Sequence, residues 1–136
     1  NNQRDGQGKF IWKNGTFYEG AFSKGKASGM GLIRWPNGER YVGQMADGNA
    51  TGQGSYYFPS GEWYRGEIKS LVFEGVGVYH WPDGSYYVGE FKGDRLNGEG
   101  YYVWPNGVQQ WGYWKDDRYL GTNPEALKEE NQWKSK

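Results

Sequence analysis

The sequence predicts an all-β fold: an elongated single-layer antiparallel sheet of tandem 23-residue β-hairpins, with a short C-terminal helix. Three observations carry this. Glycines and aromatic residues recur at a step of 23. A tight-turn tetrapeptide recurs at the same step. Between turns, apolar and polar residues alternate with the period of two that belongs to strands.

The period is the primary fact, since a fixed step of this length marks a repeat architecture. Gly15, Gly38, Gly61, Gly84 and Gly107 are each 23 apart, and so are Gly20, Gly43, Gly66, Gly89 and Gly112. Two further columns run Gly6, Gly29, Gly52, Gly75, Gly98, Gly121 and Gly8, Gly31, Gly54, Gly77, Gly100. Tyr18, Tyr41, Tyr64 and Tyr87 keep the same step, as do Trp12, Trp35, Phe58, Trp81 and Trp104.

The turns come next. Trp35-Pro36-Asn37-Gly38, Phe58-Pro59-Ser60-Gly61, Trp81-Pro82-Asp83-Gly84 and Trp104-Pro105-Asn106-Gly107 each place Pro second, a short polar residue third and Gly fourth. Pro presets φ at the second position, and Asn, Asp or Ser followed by Gly suits the rest. The first copy, Trp12-Lys13-Asn14-Gly15, lacks the proline.

The strands follow from the alternation. In the first strand of a repeat, Tyr18, Gly20 and Phe22 share a face, echoed by Tyr41-Gly43-Met45, Tyr64-Gly66-Ile68 and Tyr87-Gly89-Phe91. Glu19, Gln44, Arg65, Glu67 and Glu90 lie between them. In the second strand Gly29, Gly31, Ile33 and Trp35 share a face, echoed at 75–81 and 98–104. Glycine is a poor strand residue unless something needs the space its missing side chain leaves, so neighbouring rings are expected to lie over bare backbone. Ten strands result, near 6–12, 16–22, 29–35, 39–45, 52–58, 62–68, 75–81, 85–91, 98–104 and 108–114. With about 4.8 Å between strands the sheet runs about 45 Å, a solenoid in which each hairpin touches only its neighbours. The array occupies 1–121: a partial repeat at 1–13, then 14–36, 37–59, 60–82, 83–105 and a degenerate 106–121. The tail, 122–136, opens with Asn123-Pro124-Glu125, an N-cap, a first-turn Pro and an acidic residue, which predicts a helix near 124–133. Leu127 and Trp133 are expected to cover the last hairpin and protect an open edge.

Composition narrows the function. The 136 residues hold 24 Gly, 19% aromatics and 16 basic against 16 acidic residues. Disordered chains lack aromatics, and nucleic-acid binders carry a basic stripe, so neither class fits. Without Cys there is no disulfide framework. No run reaches the ~20 apolar residues of a membrane-spanning helix. The sequons Asn14-Gly15-Thr16 and Asn49-Ala50-Thr51 read as turn asparagines. The chain begins without Met and inside a repeat, which suggests a fragment.

The residues resemble the MORN (membrane occupation and recognition nexus) repeats, whose pattern is approximately Tyr-x-Gly-Glu-aromatic followed by Gly-x-Gly. Tyr87-Val88-Gly89-Glu90-Phe91 with Gly98-Glu99-Gly100, and Tyr18-Glu19-Gly20-Ala21-Phe22 with Gly29-Met30-Gly31, are similar to it over about residues 5–121. The loop glycine at Gly25 and Gly48 is replaced by Leu71 and Asp94, and Gln110 takes the last tyrosine's place. The resemblance implies a scaffold in cytoskeletal, ciliary or membrane-contact assemblies, hence a cytoplasmic setting.

No catalytic constellation stands out. His80 is the single histidine, between Tyr79 and Trp81, with no nucleophile motif beside it. The Gly-x-Gly pairs lie within strands and precede no helix, so they are not phosphate loops. Glu67 and Glu90 follow the repeat register, which suggests a structural role. No enzyme activity, metal or cofactor is expected. A one-layer sheet leaves part of an aromatic face wet, and contiguous exposed rings mark partner sites. The expected groove is lined by Tyr18, Phe22, Trp35, Tyr41, Phe58, Tyr64, Trp81, Tyr87, Phe91 and Trp104 and takes a peptide or helix of a protein partner. Leu71, Val72 and Phe73 form an apolar loop, read either as local packing or as a further contact. Phospholipid contact, a sugar- or choline-binding repeat and an accessory domain of a larger enzyme are the alternatives. Self-association through the open sheet edges is a further expectation.

Overall fold

A computed structural model describes residues 4–126. Eleven strands form one antiparallel sheet in chain order: β1 (Gly6–Ile11), β2 (Phe17–Ser23), β3 (Lys26–Arg34), β4 (Arg40–Ala46), β5 (Asn49–Tyr57), β6 (Trp63–Lys69), β7 (Val72–His80), β8 (Tyr86–Lys92), β9 (Arg95–Val103), β10 (Gln109–Lys115) and β11 (Arg118–Gly121). The expected single-layer meander is present. Two features differ from the sequence reading. The second strand of each repeat starts about three residues earlier than the alternation indicates, and an eleventh strand closes the sheet.

Both differences have one cause. The link between the strands of a repeat is a two-residue turn with both φ angles positive: Lys24-Gly25, Asp47-Gly48, Ser70-Leu71, Gly93-Asp94 and Asp116-Asp117. Such turns match the right-handed strand twist. The apparent loop beyond each turn is strand interrupted by a bulge. Between the pairs Gly20↔Gly31 and Phe22↔Ala27, β2 advances two residues and β3 four. The same slip recurs in the next three repeats. At its centre stand Gly29, Gly52, Gly75 and Gly98, with φ of +101°, +114°, +87° and +111°. Side chains rarely adopt that backbone conformation, so this column needs glycine.

The other glycine columns serve the rings. Ten glycines, Gly8 through Gly112, pair in one continuous row across the sheet. A Cβ on Gly31 would stand 2.5 Å from the hydroxyl of Tyr18 and 2.7 Å from its Cζ, and Gly54 meets Tyr41 in the same way. Each tyrosine lies across bare backbone, as the sequence indicated. Its hydroxyl donates to the carbonyl facing the bulge: Tyr18 to Ala21, Tyr41 to Gln44 and Tyr64 to Glu67, all at 2.7 Å, and Tyr87 to Glu90 at 3.1 Å. The carboxylate or amide of that same residue answers the other side of the slip. Gln44, Glu67 and Glu90 accept from the backbone N–H of Gln53, Val76 and Glu99 at 2.7, 2.5 and 2.6 Å. The repeated acidic position is therefore a bulge cap, which agrees with its structural reading.

The Pro-Asn-Gly turns form as expected, with Gly38, Gly61, Gly84 and Gly107 donating to the carbonyls of Trp35, Phe58, Trp81 and Trp104. At the opposite rim the hairpin turns are stitched together. The N–H groups of Gly48, Leu71, Asp94 and Asp117 donate to Ala27, Ala50, Phe73 and Leu96. The Asp94 and Asp117 carboxylates accept from Phe73 and Leu96 at 2.8 and 2.9 Å. Beyond β11, the Asn123 side chain accepts from the N–H of Glu125 at 3.0 Å, and its carbonyl accepts from Ala126. These bonds form a turn capped by Asn123. The helix expected near 124–133, with Leu127 and Trp133, falls almost entirely outside the described residues.

Candidate functional site

The sheet presents two unlike faces. One holds the core: Tyr18, Ile33, Tyr41, Met45, Ala50, Tyr64, Ile68, Phe73, Tyr87, Phe91, Leu96 and Trp114 are buried. A single layer buries these rings because each is sunk onto glycine backbone and edged by its neighbours. Tyr64 stacks on Phe73 at 3.9 Å and 9°, and Tyr87 meets Phe91 edge-on at 5.3 Å. The last hairpin is closed by Trp114 against Tyr119 at 5.0 Å, with the Trp114 indole donating to the Gly100 carbonyl.

This placement corrects part of the expected groove. Tyr18 is 1% exposed, and Tyr41, Tyr64 and Tyr87 are 0%, so they form the floor beneath the groove and offer no surface to a partner. Phe91 joins them at 3%. Phe73 is core as well, so Leu71-Val72-Phe73 is mostly local packing. Only Leu71, at the turn tip, is exposed, and Val72 is half-buried. Of the remaining residues, Phe22, Trp35, Phe58 and Trp81 are half-buried and Trp104 is exposed.

The structure also supplies rings that the sequence reading left out of the site. Tyr56, Tyr79 and Tyr102 sit two residues before Phe58, Trp81 and Trp104, hence on the same face. Together they build an unbroken zigzag: Trp35–Tyr56 at 5.5 Å, Tyr56–Phe58 at 4.9 Å, Phe58–Tyr79 at 6.3 Å, Tyr79–Trp81 at 4.8 Å, Trp81–Tyr102 at 5.4 Å and Tyr102–Trp104 at 4.9 Å. The ring positions are fixed by their hydroxyls: Tyr56 donates to Glu39, Tyr79 to Glu62 and Tyr102 to Ser85. Burial pushes the Tyr56 and Tyr79 hydroxyls above the usual phenol range, and the carboxylates they donate to push them further. They therefore stay neutral donors. This ladder is one wall of a groove whose other wall is the row of hairpin turns. Hollows of about 270, 320 and 310 Å³ follow one another along it.

The opposite face is a different surface. Arg34 lies 4.8 Å from the Phe17 ring, Arg40 4.4 Å from Tyr57 and Arg65 5.1 Å from Trp63. His80 stacks flat on Trp63 at 4.9 Å and 4°. Among the described residues no group of three or more His, Cys, Asp or Glu side chains is placed to hold a metal ion, and no helix is long and apolar enough to cross a membrane.

Comparison with known proteins agrees with this architecture. The family profile of the MORN repeat matches residues 1–17, 18–40, 41–63, 64–86 and 87–109. Among solved structures the chain is similar to the TCP domain of SAS-4 (dCPAP) of Drosophila melanogaster in complex with a proline-rich motif of Ana2 (dSTIL). The TM-score is 0.53 at 16% identity, over 81% of this chain and 61% of that chain. The chain thus spans less than two thirds of that solved domain. The G-box domain of the microcephaly protein CPAP matches with a TM-score of 0.21 at 14% identity, over 81% of this chain and 100% of that one. No curated protein matches.

Proposed function

The chain belongs to the MORN-repeat family, and on that premise we propose that it is a non-catalytic protein-interaction module whose groove receives a peptide or helix of a partner protein. One observation carries the reading: a row of seven half-buried to exposed rings, Trp35 to Trp104, continuous over four repeats, with its three tyrosines fixed by hydroxyl hydrogen bonds. A fold that needed these rings only for stability would sink them as it sinks Tyr41 and Tyr64. Rigid aromatic grooves suit extended proline-rich segments, which lose little entropy on docking. The complex of the SAS-4 domain with a proline-rich motif supports a peptide of that kind. A place in a cytoskeletal or ciliary assembly goes with this reading.

The test is a titration of a fluorescent proline-rich peptide against the wild-type chain and against Phe58→Ala and Trp81→Ala. Central aromatic anchors are worth about 2 kcal/mol or more, so affinity should fall at least about tenfold in each. Unchanged affinity in variants whose circular dichroism matches wild type would rule the groove out. Anionic vesicles run in parallel: binding to them alone, insensitive to both variants, would favour phospholipid contact.

A further inference from the structure

The groove is not alike at its two ends, although the repeats that build it are. The difference lies in three columns that line it. Beside the hairpin turns stand Ala27, Ala50, Phe73, Leu96 and Tyr119. The second turn residue runs Gly25, Gly48, Leu71, Asp94, Asp117. The ring column runs Phe10, Ile33, Tyr56, Tyr79, Tyr102. Every column is small or aliphatic near β3 and large or charged near β9.

Two different hollows result. Between the first two repeats, Ile33 stands where the later repeats carry a tyrosine, and Gly25, Ala27 and Gly48 line the same space. The hollow of about 270 Å³ is walled by Phe10, Trp12, Phe22 and Met45, and its one charged lining residue is the cation Lys26. Between the fourth and fifth repeats, a hollow of about 310 Å³ carries Asp94 and Asp117 on its rim. Each carboxylate gives one oxygen to a backbone N–H. Their negative field reaches the Tyr79 hydroxyl, which burial and Glu62 also raise. Arg95 pairs with Lys92 across the ladder, one residue out of phase with the core pair Phe91↔Leu96 and hence on the opposite face.

We propose that the groove binds its partner in one direction, with an aromatic side chain seated in the hollow at Ile33 and a lysine or arginine at Asp94 and Asp117. The inference rests on the groove reading above and adds the chemistry of the partner. The seated ring completes the ladder where Ile33 interrupts it. The two subsites are six strands apart, about 29 Å at 4.8 Å per strand. An extended segment at about 3.1 Å per residue covers that in about nine residues. The occupant is thus an extended segment with one aromatic anchor and a basic group about nine positions away.

The experiment uses three proline-rich peptides on the full chain, read by fluorescence anisotropy and by amide chemical shifts. One carries Trp and an Arg pair nine residues apart, one has Trp→Ala, and one has Arg→Gln. On wild type, each altered peptide should bind about tenfold more weakly, and only the Arg-dependent part should disappear in 0.5 M salt. Two protein variants locate the subsites. Ala27→Phe with Ile33→Tyr copies residues that later repeats already use, and should abolish the advantage of the Trp peptide. Asp94→Asn with Asp117→Asn keeps the backbone caps and removes the charge, and should abolish the advantage of the Arg pair. If the parent peptide shifts groove amides but all three peptides bind wild type equally, the direction is wrong and the groove stands. If none of them shifts a groove amide, both readings fall. The peptide comparison on wild type needs no variant to fold.

Discussion

Gly54→Ala isolates the device on which the sheet depends. Gly54 has an ordinary strand backbone, so alanine is conformationally acceptable there. In an unobstructed strand the exchange would stabilise by about 0.5–1 kcal/mol, because glycine loses more freedom on folding. Here the added Cβ would sit 2.5 Å from the Tyr41 hydroxyl and 2.7 Å from its Cζ. The ring cannot slide along the backbone, since its hydroxyl is held by the Gln44 carbonyl at 2.7 Å. It must lift, which exposes a side chain now 0% exposed. Losing most of that burial costs about 2–3 kcal/mol, and the broken hydrogen bond about 1 kcal/mol more. Set against the backbone gain, the net loss is about 2–3 kcal/mol. Urea denaturation of Gly54→Ala, Tyr41→Ala and the double variant checks it, because the alanine does harm only while the ring is there. The double variant should be no less stable than Tyr41→Ala alone, giving a coupling of about 2 kcal/mol. A neutral or stabilising Gly54→Ala, or strictly additive effects, would refute the ring-over-glycine account.

Three further outcomes follow from the same geometry. Burial pushes the Tyr41 hydroxyl up to about 12 and raises those of Tyr18, Tyr56, Tyr64, Tyr79 and Tyr87 above 10. Since the folded pKa values exceed the unfolded one, this stability is fully present below pH 10 and is lost as pH rises through the folded values, at up to about 1.4 kcal/mol per pH unit for each tyrosine. Unfolding followed by tyrosinate absorbance should be cooperative above pH 10 and flat between 7 and 9. Glu67→Ala leaves the Val76 N–H without its cap and should cost about 1 kcal/mol, whereas Glu67→Gln, which copies Gln44, should be near neutral in the same urea titration. Leu71 holds φ of +67° at a turn position that Gly25 and Gly48 fill in earlier repeats, so Leu71→Gly should raise the urea midpoint by the equivalent of about 1 kcal/mol with an unchanged m-value.

Periodicity made the fold legible, because a 23-residue step with four phased glycine columns admits few other architectures. It also fixed the Pro-Asn-Gly turns and the place of each tyrosine over its glycine. Alternation alone could not show the bulge. A period-two pattern assumes that both strands of a hairpin advance together, and here one advances four residues while the other advances two. The signal was nonetheless present: a glycine column at 29, 52, 75 and 98 that no ring needs, facing a polar column at 44, 67 and 90. The eleventh strand escaped for the same reason: alternation starts a second strand at the column of Gly29, which in the last repeat is Gly121, and β11 (Arg118–Gly121) lies before that point.

The site was half legible, and the error is instructive. Regular recurrence of an aromatic reads as a sign of contact, but the most regular column, Tyr18 to Tyr87, is the most deeply buried. A ring locked into an identical cradle in every repeat is invariant because the cradle is. Contact with a partner demands the opposite, since an unsymmetrical segment lies along a symmetrical array only where the copies differ. The functional signal in a repeat protein therefore sits in the columns that break phase. Ile33 before three tyrosines, Ala27 before Phe73 and Leu96, and Gly48 before Leu71 and Asp94 all line one groove, and from the first full repeat onward each column gains size or charge along it.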